Sequence, residues 1–200
     1  MSAIQAALVR SILEKHTSYD WTLQGFGFFR TKIQNVGRIH VWDSRVATPL
    51  VSTLHSHPWP LNSTIISGEL LNARYREATD GGMPYVRSRI ATGEGGGLIG
   101  DPVDVELVLT IVEARVSGES YAQTPEALHR TIAQDGTVTL IERPQGPPLE
   151  EALVYWPRGT SWVSAEPKPA DPWPLSQAIQ YALSRWAAAP QPSERATHAE

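Results

Sequence analysis

Hydrophobic and polar positions divide the chain into three parts: a short amphipathic segment, a long section of brief β-type runs, and a second amphipathic segment. In the first segment, Ile4, Leu8 and Ile12 recur at helical spacing behind Ser2, which belongs to a residue type that caps helix N-termini. This pattern predicts a helix over residues 3–15.

The middle section runs from about residue 21 to about residue 165 and consists of short β-rich runs separated by glycine, proline, aspartate and asparagine. Such spacing is typical of a sandwich or a barrel. The predicted strands cover residues 27–33, 37–42, 50–55, 63–67, 70–77, 85–91, 103–116, 128–133, 137–143, 153–156 and 161–165. We therefore predict an all-β fold class with a helix at each end.

The last amphipathic segment begins near Pro174, which suits the first position of a helix. Leu175, Ile179 and Trp186 then share one apolar face, so the pattern predicts a helix over residues 174–188. That face either covers the β-section or forms the contact of a homodimer, in which tryptophan is common.

Length and composition bound the possible partners. The 200 residues suffice for one domain with its own core, which we assign to residues 1–189, and the polar, proline-rich residues 190–200 predict a disordered tail. Charged residues make up 19% of the chain with a formal net charge of −4 and no basic stripe, so no nucleic acid partner is expected. There is no leader-like N-terminus and no apolar run near about 18 residues, so no membrane partner is expected and the expected location is cytoplasmic.

Three of the six histidines are placed where they can hold one metal ion. His55 and His57 are two residues apart in a β-rich run, and alternation along a strand sends both imidazoles to one side. His129 lies on a separate predicted strand and can supply a third nitrogen. The chain has no cysteine, so any ligands must be nitrogen or oxygen atoms. The alternative is that the first two histidines form a polar turn and His129 is a surface residue.

The spacing of these residues is similar to the motifs of one large superfamily. His55-Ser56-His57 with Gly68 eleven residues on resembles the first motif of the cupin superfamily, and Gly118, Pro125 and His129 resemble its second motif in a shortened form. The resemblance covers most of the chain and implies a double-stranded β-helix of the jelly-roll kind, with the metal inside the mouth of the barrel.

The sequence departs from the cupin pattern at one ligand. Cupins commonly have a metal-binding glutamate four or five residues after the second histidine, where this chain has Leu61 and Asn62. The implied ligand set is therefore three histidines without a carboxylate. Three neutral imidazoles leave a divalent ion its full charge, which favours a small anionic substrate. Fe(II) is the favoured ion, and zinc, manganese or nickel are alternatives.

Cupins that lack the glutamate include the cysteine dioxygenases, to which this chain is distantly similar. Arg30 lies twenty-five residues before His55, near the place where that family has the arginine that binds the substrate carboxylate. The later strand differs, since Thr139, Ile141 and Arg143 stand where the family has serine, histidine and tyrosine. Cysteine is therefore not the expected substrate. The alternative for Arg30 is a solvated strand residue.

Three further polar residues are weaker candidates. Tyr121 precedes the second motif and can donate a hydrogen bond to a substrate, or can simply pack. His40 either faces the pocket, where it positions a ligand or transfers a proton, or is a packing residue. Glu113 either replaces the missing carboxylate or faces solvent.

Three function classes follow from these residues. The expected one is a mononuclear non-haem iron enzyme, a dioxygenase of a small anionic molecule, with His55, His57 and His129 as ligands and Arg30 and Tyr121 as catalytic residues. The second is a metal-dependent lyase, isomerase or hydrolase without redox chemistry. The third is a cupin that binds a small ligand and catalyses nothing, because one fold supports many functions.

Overall fold

The computed structural model describes residues 2–49, 51–91, 97–144, 148–164 and 166–188. Within these residues the chain forms two α-helices, thirteen β-strands and two short 3₁₀ turns, at His16–Ser18 and Ser44–Val46. The helices and strands are, in chain order, α1 (Ala3–Glu14), β1 (Trp21–Gln24), β2 (Phe28–Ile33), β3 (Gly37–Trp42), β4 (Leu54–His55), β5 (Leu61–Ser67), β6 (Glu69–Ala78), β7 (Met83–Ala91), β8 (Leu98–Val116), β9 (Ser120–Gln123), β10 (Leu128–Ala133), β11 (Val138–Glu142), β12 (Glu151–Pro157), β13 (Lys168–Pro169) and α2 (Pro172–Ala188).

The strands form two antiparallel sheets. One sheet has seven strands in the order β13-β1-β2-β3-β11-β5-β9. The other has six in the order β10-β4-β12-β7-β8-β6, and it closes on itself because β6 also pairs with β10. From β4 to β12 the chain passes back and forth between the sheets, apart from β7 and β8, which both extend the six-stranded sheet. Residues of both sheets consequently line one cavity.

The two helices cover the outer face of the seven-stranded sheet. Their buried apolar residues pack with those of the sheet in one cluster, which includes Val9, Ile12, Leu13, Phe29, Ile39, Val41, Val138, Leu140, Leu175, Ala178, Ile179 and Ala182. The predicted apolar face of the second helix therefore packs on the β-section. This layer supplies the largest buried apolar cluster among the described residues and leaves the other face of the sheet to the cavity.

At the start of each helix, a side-chain oxygen accepts a hydrogen bond from a backbone amide that has no partner within the helix. The Ser2 hydroxyl accepts from the Gln5 amide at 3.1 Å, and the Gln5 side-chain oxygen accepts from the Ser2 amide at 3.0 Å, which is a capping box. The second helix starts two residues earlier than predicted, because the Asp171 carboxylate accepts from the Trp173 amide at 3.0 Å. Neither described helix combines the length and the apolar character that crossing a membrane requires.

The sequence predicts a mostly β structure with a helix at each end, and the structure confirms this coarse description. The strands at 37–42 and 128–133 match residue for residue. The strand expected at 50–55 is wrong in extent, since only Leu54–His55 pairs, while Leu50 is outside the described residues. Residues 161–164 are irregular rather than a strand, and Ala165 and the predicted tail at 190–200 are likewise outside the described residues. The jelly-roll arrangement and the homodimer stay predictions.

Gly68 is the fold position whose substitution we expect to be least tolerated. It joins β5 to β6 with a φ of +85°, and a Cβ there would lie 2.6 Å from Thr137 Oγ1 and 2.8 Å from Thr137 Cα. Gly118 has a φ of +93°, but a Cβ there would meet no heavy atom within 4 Å. Gly118→Ala should therefore lower the free energy of unfolding by about 1–2 kcal/mol through backbone strain alone. Gly68→Ala should cost about 1–3 kcal/mol more because of the added overlap.

Urea denaturation of the two alanine variants and the unchanged protein measures both losses. Equal losses at the two glycines would contradict the close approach of Gly68 to Thr137.

Candidate metal centre

His55 and His129 lie directly opposite each other on β4 and β10. Directly opposed side chains of an antiparallel pair share a face, so both imidazoles extend from the same side of the six-stranded sheet. Alternation sends their neighbours, Leu54 and Leu128, to the other face, where both are buried in an apolar cluster. Strand pairing therefore brings together two histidines that are far apart in the sequence.

His57 joins them from just beyond the end of β4. β4 ends at His55, where the predicted strand also ends, so alternation along the strand does not by itself place the His57 ring. The segment is nevertheless held in place by its backbone: the Ser56 amide donates to the Leu153 carbonyl at 2.9 Å and the His57 amide to the Pro125 carbonyl at 3.2 Å. The two imidazoles of the pair therefore remain adjacent, with ring centroids 4.8 Å apart.

The three imidazoles form a nearly equilateral triangle. The centroid of the His129 ring lies 5.0 Å from that of His55 and 5.0 Å from that of His57. Three imidazoles bound to one ion would have centroids about 4.6 Å apart in octahedral and about 5.3 Å apart in tetrahedral geometry. The observed spacings fall between these values. One donor atom from each histidine lies within 4.8 Å of the others, and the Nε2 atoms of His57 and His129 are 2.9 Å apart.

Two of the rings are oriented by hydrogen bonds from their outer nitrogens. His55 Nδ1 donates to the Thr53 carbonyl at 3.0 Å, and His129 Nδ1 donates to Asn72 Oδ1 at 2.9 Å. Both partners can only accept, so the two rings carry their proton on Nδ1 and keep the Nε2 lone pair. A metal-ligating histidine is held in the same way, by an acceptor on its second nitrogen.

The environment keeps these imidazoles neutral. Burial lowers the pKa of His57 and of His129 well below the usual value of about 6.5, and it also lowers the pKa of His55. The neighbouring imidazoles lower the pKa of His57 further. Each ring can therefore offer a lone pair at neutral pH, as metal binding requires.

The triad opens into a cavity of about 870 Å³ between the sheets. Both predicted catalytic residues line this cavity. Arg30 is half-buried on β2 opposite His40, and burial lowers its pKa. Tyr121 is buried on β9, and burial raises its pKa, so its hydroxyl keeps its proton and can donate. The structure thus brings these two residues and the three histidines to one site.

The other two weaker candidates, His40 and Glu113, differ in position. Within the described residues, the group that can hold a metal consists of the three histidines and does not include Glu113, whose carboxylate contacts Arg74 at 3.2 Å and Arg115 at 2.5 Å. His40 lines the cavity and stacks on Phe28 with ring centroids 4.3 Å apart. Its buried Nε2 atom has no hydrogen-bond partner among the described residues.

Three residues of the site are not predicted from the sequence. The register of β6 against β10 places Asn72 at the site, and the sequence does not show this register. Phe26 lies flat on the His55 ring, with centroids 5.1 Å apart and planes at 7°. Arg38 alternates with His40 along β3 and lines the cavity, and this period of two was the signal that could have found it.

Comparison with known proteins adds no assignment. A scan of the chain against protein-family models found no match, and searches of curated proteins and of solved structures found none either. The likeness to cupins therefore rests on the motif residues alone.

The histidine assignment predicts the metal content of single variants. His55→Ala and His129→Ala should each lose most bound metal, because two imidazoles bind a divalent ion far more weakly than three. Both should stay folded, since the apolar cluster beneath the helices is untouched. His40→Phe is the matched control, as it changes a cavity histidine outside the triad and should keep the metal. Elemental analysis after metal loading, with circular dichroism for folding, measures both; full occupancy in an alanine variant would refute the ligand set.

His40 also makes stability depend on pH. Burial, together with Arg30 and Arg38, lowers the pKa of His40 well below about 6.5. The unfolded chain therefore binds a proton below about pH 6.5 that the folded chain resists, so stability is complete above that pH and is lost as the pH falls. The histidines of the triad act in the same direction.

The variant His40→Phe isolates this contribution. Between about pH 7 and about pH 5, its free energy of unfolding should fall less steeply, by up to about 1.4 kcal/mol per pH unit. Urea denaturation of metal-free protein across this range checks the slope. The same slope in both proteins would contradict a neutral, buried His40.

Proposed function

We propose that this protein is a metal-binding cupin of the jelly-roll kind, in which His55, His57 and His129 hold a divalent ion, with Fe(II) favoured. The chain path supports the fold, because strands from β4 to β12, apart from β7 and β8, alternate between two sheets that enclose one cavity. The observation that carries the proposal is the triangle of neutral, half-buried or buried imidazoles on one wall of that cavity.

The charges around the cavity favour an anionic substrate. Three neutral imidazoles do not reduce the charge of a divalent ion, and Arg30 and Arg38 add positive charge in the same cavity. Neither guanidinium forms an ion pair with any described residue. A carboxylate, enolate or thiolate would satisfy both the ion and Arg30.

In the proposed site, different residues that line the cavity bind and orient such an anion. In the proposed enzyme, Arg30 binds the carboxylate through a charge-assisted hydrogen bond, and the Tyr121 hydroxyl donates to a second polar group of the substrate. Phe26 and Trp59 help to keep water away from the ligand histidines, against which both rings lie. His55, His57 and His129 would hold an Fe(II) ion, which would supply dioxygenase chemistry when bound.

A second candidate is a lyase, isomerase or hydrolase that uses a redox-inert ion. The ring spacings of 4.8 Å and 5.0 Å are as compatible with this candidate as with an iron dioxygenase, because they lie between the octahedral and tetrahedral values. A cupin that only binds a small ligand is the third. Iron content with oxygen consumption separates the first function from the other two.

The decisive experiment loads the metal-free protein with Fe(II) or Zn(II) and measures dioxygen uptake. The substrate panel contains small carboxylates, thiols, aromatic acids and diketones. The proposal expects uptake with Fe(II) and one class of anion, none with Zn(II), and none in His129→Ala. Turnover with Zn(II) and no oxygen uptake would replace the dioxygenase with the second candidate.

Arg30→Gln tests the proposed carboxylate anchor. It should raise the Michaelis constant of an anionic substrate by about tenfold or more, since a charge-assisted hydrogen bond is lost, while metal content is unchanged. Arg130→Gln removes the same charge from an exposed position beside His129 on the opposite face of β10, and serves as the matched control. Steady-state kinetics of both variants provide the comparison. An unchanged Michaelis constant in Arg30→Gln would remove Arg30 from the site.

A further inference from the structure

The seven-stranded sheet presents a row of positive charges to the cavity. Arg30 and Lys32 extend from β2, Arg38 from β3, and Arg143 from the residue after β11, and all four line the cavity. Lys32 and Arg38 are directly opposed across the strands. Glu166 is the one acidic residue among the described residues that line the cavity.

The outer part of this row gathers around one tryptophan. We call Lys32, Arg38 and Arg143 the outer cation group. The guanidinium carbon of Arg38 lies 5.0 Å from the centroid of the Trp59 ring, and that of Arg143 lies 5.9 Å from it. The same indole lies 5.3 Å from the His57 ring. Trp59 therefore stands between a proposed metal ligand and two guanidinium groups.

The outer cation group lies toward the mouth of the cavity. Lys32 and Arg143 are exposed and Arg38 is half-buried, whereas the histidines of the triad are half-buried or buried. Burial, and to a smaller extent the charges of Arg30 and Arg143, lower the pKa of Arg38 to about 10, so its positive charge is disfavoured where it lies. No described carboxylate forms an ion pair with Arg38. A bound anion would relieve the repulsion.

The cavity is also larger than a single small acid requires. Its volume of about 870 Å³ is near the upper end of the range of about 300–1,000 Å³ for ligand sites. Its walls carry several large aromatic side chains, Phe26, Phe28, Trp42, Trp59 and Trp162. Walls of this kind bury the apolar body of a ligand and leave polar groups to fix its ends.

We propose that the outer cation group is a second anion subsite, and that the substrate is a dianion with an apolar or aromatic body. One anionic group lies at the triad and Arg30, and the second, a carboxylate or a phosphate, lies between Arg38 and Arg143. The apolar body lies along the aromatic walls between them. This inference rests on the proposed function, because it names the substrate class of the same site.

Isothermal titration calorimetry of the zinc-loaded protein tests the second subsite. The probes are benzoate, with one carboxylate, and terephthalate and 4-phosphonobenzoate, each with a second anionic group across the ring. A dianion should bind at least about tenfold more tightly than benzoate, because it adds charge-assisted contacts to guanidinium groups. The tighter of the two dianions identifies the second group as carboxylate or phosphonate, the latter representing a phosphate.

Substitutions in the outer cation group show which residues are responsible for the tighter binding of the dianion. Arg38→Gln and Arg143→Gln should each reduce the preference for the dianion severalfold and together abolish it, without changing benzoate affinity or zinc content. Arg130→Gln removes one positive charge from the outside of the same protein and should keep the full preference. Equal losses in all three variants would show a general charge effect and overturn the subsite.

The design separates failure of this inference from failure of the proposed function. Bound zinc without preference for a dianion, or without binding of any probe, overturns the subsite and leaves the metal site standing. A protein that binds no metal but prefers the dianion in an Arg38-dependent way supports the subsite and overturns the proposed function. A preference that survives in the double variant overturns the inference in either case.

Discussion

The site depends on the register of β10 against its two neighbours. Pairing with β4 sets His129 opposite His55, and pairing with β6 sets Thr131 opposite Asn72, whose side-chain oxygen orients the His129 ring. A slip of one residue would turn every side chain of β10 to the other face, so that His129 would enter the apolar cluster and Leu128 the cavity. The burial of Leu54 and Leu128 therefore fixes the place of the histidines, and packing on one face of the sheet determines chemistry on the other.

The two faces of the seven-stranded sheet carry different kinds of side chains. The outer face packs with both helices in a continuous apolar cluster. The inner face carries arginines, a lysine and His40, whose Nε2 atom has no hydrogen-bond partner in the described part of the chain. Like charges this close destabilise a folded state unless something compensates them. The apolar layer is positioned to do so, because it contributes stability without contact with the cavity. Because the apolar outer face supplies stability, the residues on the inner face can serve ligand binding rather than packing.

The sequence predicts the coarse fold and the three histidines that could hold a metal, but not the contacts that orient their rings. Helices and most strands follow from periodicity, and three histidines stand out because so few residue types can bind a metal without cysteine. The strands β1, β9 and β13 have four, four and two residues, which is too short for a pattern of alternation to show. Asn72 depends on register between strands far apart in the chain, and register is set by packing and turns that a linear pattern does not contain.

A leucine stands where the resemblance to cupins predicts a carboxylate, and it bears on both proposed anion subsites. Leu61 stands at one of the positions where a cupin would have its glutamate, lines the cavity, and packs in an apolar cluster with Trp59 and Tyr121. A glutamate there would reduce the charge at the triad and would interrupt the support of the indole ring. With leucine, the proposed ion keeps its full charge and Trp59 is held between His57 and Arg38. The same leucine thus favours an anion at the proposed metal and supports the aromatic platform of the outer cation group, as the proposed dianionic ligand requires.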